Sequence, residues 1–191
     1  DYVKLKSSDG SIYYFAKDNL EFQRLEKQFN DKKQWVDGVP KLKTIAQIFK
    51  EYGGYEIIGS VKGSELVGLE YIGPFDDLEA QNEPGGFPFV NDELKSNGVT
   101  AVQQHKVIDP GKDKIGNDIV VSGEGTGIVH MAPGCGDIDH KIGKAKDLIN
   151  IAPLDEEAKF MDSFGWLNGK SATDPETIDK IIADLKDRKF L

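Results

Sequence analysis

The chain has 191 residues, 38% of them hydrophobic and 30% charged, with a formal net charge of −9. That length holds one domain with a sizeable core or two small ones, and the composition excludes a disordered chain. The acidic balance excludes a protein that grips a long stretch of nucleic acid on a basic face of its own, though one end of a nucleic acid held elsewhere is compatible with it.

The opening reads as a hairpin, with strands at Tyr2–Lys6 and Ser11–Ala16 joined by the turn residues Ser8-Asp9-Gly10. Asp18 is placed to cap a helix carrying Leu25 and Phe29. A second helix fits between Pro40 and Tyr52, where Leu42, Ile45, Ile48, Phe49 and Tyr52 repeat at helical spacing and Gly53-Gly54 stop it. Tyr55–Val61 returns to strand character.

Pro74, Pro84, Gly85, Gly86 and Pro88 then punctuate an irregular region. Gly98–Val107 reads as a strand, Asp109–Asn117 as a surface loop, and Ile119–Val121 and Gly127–Ala132 as short buried strands. Asp137–Ile149 has helical character. Asp174-Pro175 opens the clearest helix, with Ile178, Ile181, Ile182 and Leu185 as its apolar stripe. There is no regular alternation of strand and helix, so the residues point to a mixed α/β chain with a β-rich core and peripheral helices, not to a doubly wound sheet.

Cys135 is the only cysteine, which excludes an internal disulfide and fits a reducing, cytoplasmic setting. No apolar run has the length of a membrane span, and none near the start has the form of a secretory leader. The start at Asp1 rather than Met leads us to expect a piece of a longer protein.

The segment richest in chemistry is Gly125-Thr126-Gly127-Ile128-Val129-His130-Met131-Ala132-Pro133-Gly134-Cys135-Gly136-Asp137-Ile138-Asp139. It reads as a buried strand between two glycine turns, with His130 near the strand end and Asp139 at a helix start. Spacing alone leaves Asp139 as a helix cap or dipole partner and His130 as a hydrogen-bonded structural group. Gly125-Thr126-Gly127 has neither the Lys-Ser/Thr ending of a P-loop nor the glycine spacing of a dinucleotide fingerprint. Three scattered histidines and one cysteine make no metal-ligand set. Phe87, Phe89 and Trp35 fit core packing better than stacking on a terminal base. Asp76-Asp77 and Asp155-Glu156-Glu157 read as solvated acidic faces. Lys141, Lys144 and Lys146 suit either phosphate contact or charge balance.

Taken as a whole, Gly-Thr-Gly-Ile-Val-His-x-Ala-Pro-Gly-x-Gly followed by Asp139 resembles the signature of the editing domain of isoleucyl-tRNA synthetases, in the class I valyl, isoleucyl and leucyl group. Leu66–Phe75 resembles a stretch found upstream in the same domain, and Gly165-Trp166-Leu167-Asn168-Gly169-Lys170 ahead of a helix also fits. The resemblance implies a single editing domain over residues 1–191 with a β-barrel-like core of short strands and peripheral helices. It implies hydrolytic removal of valine from isoleucine tRNA.

Asp139 would be the key catalytic-site residue and hold the α-ammonium group of the misattached amino acid. His130 would flank its side chain and refuse isoleucine. Gly125, Thr126, Gly127, Gly134, Cys135 and Gly136 would line the substrate, with glycine amides around Gly134–Gly136 as donors for the oxyanion. Water activation would fall to positioning and to the terminal ribose hydroxyl. The logic of a sieve follows from the weak discrimination that one methylene allows, for which this enzyme family is itself a standard example.

The partners would be the 3′ end of valine-charged isoleucine tRNA and the rest of the synthetase in cis. No cofactor belongs to the domain, since ATP and Mg serve the parent's catalytic domain. His140 stands where the family commonly has Tyr, and Cys135 where it often has His or Phe. A Thr-rich segment that lines the pocket in the family belongs just ahead of Asp1. Two other readings stay open, a non-hydrolytic module that docks the acceptor end and an editing domain of valyl type, against which His130 speaks.

Overall fold

A computed structural model describes residues 1–22, 24–25, 41–112, 115–121 and 125–190. They form two compact units, one of Asp1–Val67 with Ile108–His130 and the other of Gly68–Val107 with Met131–Leu191.

The first unit is built on a three-stranded antiparallel sheet in the order β2-β1-β5, with β1 at Tyr2–Ser7, β2 at Ile12–Ala16 and β5 at Tyr55–Val61. The hairpin turn closes as its residues dictate. Gly10 takes φ +90°, and the Asp9 carboxylate accepts from the Ser11 amide at 2.9 Å. That amide holds the Asp9 carboxyl below its ordinary range. Alternation along β1 puts Val3 and Leu5 on the buried face, opposite Phe15 and Tyr13 of β2. Between β2 and the next strand, Lys17–Asn19 form a single 3-10 turn in place of the helix expected after Asp18. Leu25 lies in a two-residue strand (β3, Arg24–Leu25) paired with β4 (Lys41–Leu42), and Phe29 lies outside the described residues.

Helix α1, Ile45–Glu51, falls within the expected interval. Thr44 Oγ1 accepts from the Gln47 amide at 3.1 Å and Gln47 Oε1 from the Thr44 amide at 2.9 Å, a reciprocal cap. Gly53 and Gly54, at φ +101° and +97°, end it, and the Gly54 amide returns to the Phe49 carbonyl at 2.9 Å. The helix buries Ile45 and Ala46 in one cluster with Val3, Leu5, Phe15 and Leu20. Phe49 meets Tyr13, Phe15 and Tyr55 edge to face at 5.0–6.2 Å. A short helix, α2 at Gly63–Leu66, follows β5.

The second unit is mostly helix and turn: α3 at Glu79–Asn82, α4 at Asp92–Ser96, α5 at Asp137–Ala145 and α6 at Pro175–Asp187. Its core joins Ala80, Phe164 and Leu167 to Leu78, Phe87, Ile151, Phe160 and Ile181. In α6, Ile181 lies against this core and Leu185 is half-buried, while Ile178 and Ile182 face solvent, so the inward stripe is narrower than the spacing suggests. Thr177 takes the buried place one turn before Ile181. Arg188, just past α6, binds Asp77 and the Pro74 carbonyl and lies over the Phe75 ring.

The mixed α/β character matches the sequence reading. Among the described residues the sheet is three-stranded and no barrel closes. Three expected strands are not formed. Gly98–Val107 holds a 3-10 turn at Val102–Gln104 and one isolated bridge from Lys106 to Glu70. Neither Ile119–Val121 nor Gly127–Ala132 pairs as a strand, and Ile128 and Val129 are exposed, the latter at 67%.

Candidate functional site

The unit boundary falls between His130 and Met131, so the Gly125–Asp139 segment contributes one part to each unit.

In the first unit, three successive carbonyls tie Gly125–Gly127 down. Gly125 O accepts from Asn19 Nδ2 at 3.2 Å, Thr126 O from the Ala16 amide at 2.8 Å, and Gly127 O from Tyr2 Oη at 2.6 Å. Gly125 and Gly127 have φ +52° and +77°, and a Cβ on Gly127 would collide with that of Ala16. Thr126 Oγ1 accepts from the Ile128 amide at 3.2 Å and donates to the Ile128 carbonyl at 2.9 Å. That local loop consumes both backbone groups a strand ladder would use, which is why no strand forms here. His130 is exposed at the end of this part.

In the second unit, Ala132–Cys135 make a turn closed by the Cys135 amide on the Ala132 carbonyl at 2.9 Å. Pro133 fixes the turn's entry, and the Gly134 amide and Gly136 amide donate to no backbone acceptor among the described residues. Asp139 sits in the first turn of α5, half-buried, and its Oδ2 accepts from the Ala132 amide at 3.0 Å. This bond reaches seven residues back, so Asp139 does not act as a simple N-cap; Gly136 holds that position with no side-chain cap. Oδ1 makes no protein hydrogen bond among the described residues.

Close packing seats the turn. A Cβ on Gly134 would run into the Ile151 carbonyl, and one on Gly143 would meet the Pro133 ring at 2.8 Å. Asp139 and Gly143, four apart, thus present one helix face to the turn. Gly143, Asn150 and Ile151 are the supporting residues that the sequence reading missed; the i, i+4 relation of Asp139 and Gly143 was the signal for the first of them. Cys135 is exposed. Lys141 pairs with Asp137 on the helix surface.

Elsewhere in the second unit, His105 stacks on Tyr71 at 5.2 Å and its Nδ1 lies 2.9 Å from Asp76 Oδ1. The contact is close enough for an ion pair, yet neither atom makes a hydrogen bond and both are buried. Burial, and then the Asp76 charge, push the Tyr71 phenol up. Phe87 packs edge to face on Phe164 at 5.6 Å, in keeping with a core role, whereas Phe89 is exposed. Trp35 lies outside the described residues. Among the described residues, no group of three or more His, Cys, Asp or Glu is placed to hold a metal ion, and no helix is long and apolar enough to cross a membrane.

No family model matches the chain. Among curated proteins it is similar to the isoleucine–tRNA ligase of Sulfolobus acidocaldarius, 35% identical over 72% of the chain and 11% of that protein. It is likewise similar to the isoleucine–tRNA ligase of Methanocaldococcus jannaschii, 31% identical over 91% of the chain and 15% of that protein. The isoleucine–tRNA ligase of Rickettsia peacockii is 33% identical over 76% of the chain and 11% of that protein. The chain thus spans between 11% and 15% of the length of these relatives.

Proposed function

The chain is a homologue of one segment of the isoleucine–tRNA ligases, and from that premise we propose that it is the editing domain of such an enzyme, both units together. Its reaction is hydrolysis of the ester between valine and the terminal ribose of isoleucine tRNA. Water adds to the ester carbonyl, the carbon–ribose oxygen bond breaks, and free valine and tRNA with a free terminal hydroxyl leave.

The observation that carries this reading is the state of Asp139. One carboxylate oxygen is fixed by the Ala132 amide and the other makes no protein hydrogen bond among the described residues. A carboxylate held at one oxygen offers the second, already aimed, to an ammonium group as a charge-assisted hydrogen bond. A capping aspartate would spend its oxygens on its own helix. The amides of Gly134 and Gly136 are the donors we assign to the oxyanion, since the Cys135 amide is spent on the Ala132 carbonyl. His130, which is exposed, keeps the assignment that the resemblance implies, contact with the amino-acid side chain. The same reading makes the acceptor end of valine-charged tRNA and the remainder of the synthetase its partners, and the cytoplasm its compartment.

Deacylation of valine-charged isoleucine tRNA, with and without Asp139→Ala, tests the proposal. Loss of hydrolysis in a folded variant supports it. A docking module would bind the acceptor end equally well with either residue and hydrolyse nothing.

A further inference from the structure

The first turn of α5 carries a second tie to the same loop. His140 Nδ1 lies 3.3 Å from the Pro133 carbonyl and 3.4 Å from the amide nitrogen of Asn150. The carbonyl only accepts and the amide nitrogen only donates, so one ring nitrogen cannot serve both. Asn150 Oδ1, meanwhile, is buried without a hydrogen bond, on the side of Gly134 where the Ile151 carbonyl also stands. A buried amide oxygen without a partner is costly.

We propose that the Asn150 amide is turned with its oxygen toward His140, and that a proton on His140 Nδ1, shared between Pro133 O and Asn150 Oδ1, makes these two residues the positioning pair for Asp139. The turn removes the donor–donor conflict at Nδ1, and in place of the orphaned acceptor it puts the Asn150 N–H donors on the side of Gly134 where the Ile151 carbonyl stands. It also dictates the tautomer, with the proton on Nδ1 and Nε2 bare in the neutral ring.

The positional logic is local. Asp139 takes the amide of Ala132, and His140 takes the carbonyl of the next residue, Pro133. Two consecutive helix residues therefore hold two consecutive loop residues. Asn150, itself fixed by the Phe87 amide on its carbonyl at 3.0 Å, braces the ring from the other side. If the strap is released, the Ala132 amide moves and Asp139 loses its fixed orientation. The importance of this for catalysis rests on the editing assignment of Asp139; the strap itself does not.

The test uses two variants with opposite reach. Asn offers an amide nitrogen where imidazole has Nδ1, whereas Gln offers one where it has Nε2. Nitrogen-15 spectroscopy of the imidazoles of the chain reads the tautomer directly, and the Ala132 amide resonance reads the loop. We expect neutral His140 to carry its proton on Nδ1. The Ala132 resonance stays in place in His140→Asn and shifts in His140→Gln and Asn150→Leu. Valine deacylation follows it, within about twofold of the parent for His140→Asn and down about tenfold for the other two. A proton on Nε2, or an Ala132 amide unmoved by His140→Gln and Asn150→Leu, overturns the proposal. Because the spectra need no turnover, a strap seen in the spectra beside a full-length protein that clears no valine refutes the editing reading and still supports the strap.

Discussion

Gly125–His130 and Met131–Asp139 are both glycine-rich, but they are held by different means. The first is tied by three successive carbonyls to Asn19, Ala16 and Tyr2, and its glycines are needed for backbone conformation. The second is held against a helix by the Asp139 carboxylate and by contacts too close for any Cβ, and neither Gly134 nor Gly136 has positive φ. Gly125 thus bends the chain, Gly127 bends it and also admits Ala16, and Gly134 admits a neighbour without bending it. Substitution should expose the difference.

The largest effect we expect is on chemistry in the second half. Asp139→Ala should reduce valine deacylation by about a hundredfold or more, the scale of losing an oriented charged contact in a transition state. Its melting temperature should change little, as the residue is only half-buried. A variant that hydrolyses at the parent rate would show that Asp139 merely ties the loop. Next comes Gly134→Ala, whose methyl collides with backbone at Ile151. Overpacking against atoms that cannot rotate away should cost about 3 kcal/mol, seen in denaturant unfolding.

In the first half, His130→Ala should leave valine hydrolysis within a few-fold and raise hydrolysis of the isoleucine ester about tenfold, in a competition assay with both charged tRNAs. Gly125→Ala meets no neighbour but imposes a left-handed conformation on an L-residue, for about 1 kcal/mol of destabilisation. If Gly125→Ala and Gly134→Ala were equally damaging, the contrast between the two halves would collapse.

Much of the first unit was legible in the sequence, because local chemistry decides it. The hairpin and Tyr55–Val61 follow from alternation and turn residues, and α1 from its apolar spacing and double glycine stop. The misses share a cause. Gly127–Ala132 has the apolar content of a strand, but the Thr126 hydroxyl occupies the backbone of Ile128, and apolar content does not reveal that competition. Val102–Gln104 turns where a strand was expected, and its last residue, Gln104, accepts through Oε1 from the Ile149 amide at 2.6 Å, far along the chain. At the site, the segment and Asp139 stood out by sequence. The Ala132 amide, Asn150 and Ile151 did not, since each matters only through a contact made after folding.

The smallest effect lies away from the motif. Tyr71, raised by burial and by Asp76, should titrate above free tyrosine in an ultraviolet pH scan. Its folded pKa exceeds the unfolded one, so its contribution to stability is present below the unfolded value and is lost as pH rises through the folded one. Asp76→Asn should lower that midpoint partway, leaving the part due to burial, while leaving the Gly125–Asp139 segment untouched.

Editing by Asp139 is tested by deacylation of valine-charged and isoleucine-charged isoleucine tRNA, side by side, using the full-length protein that contains this chain and its Asp139→Ala variant. The parent should clear the valine ester selectively, and the variant should clear neither ester. Clearance of valine-charged isoleucine tRNA that survives Asp139→Ala, or a parent that clears neither ester, would show that Asp139 does not carry editing in this chain.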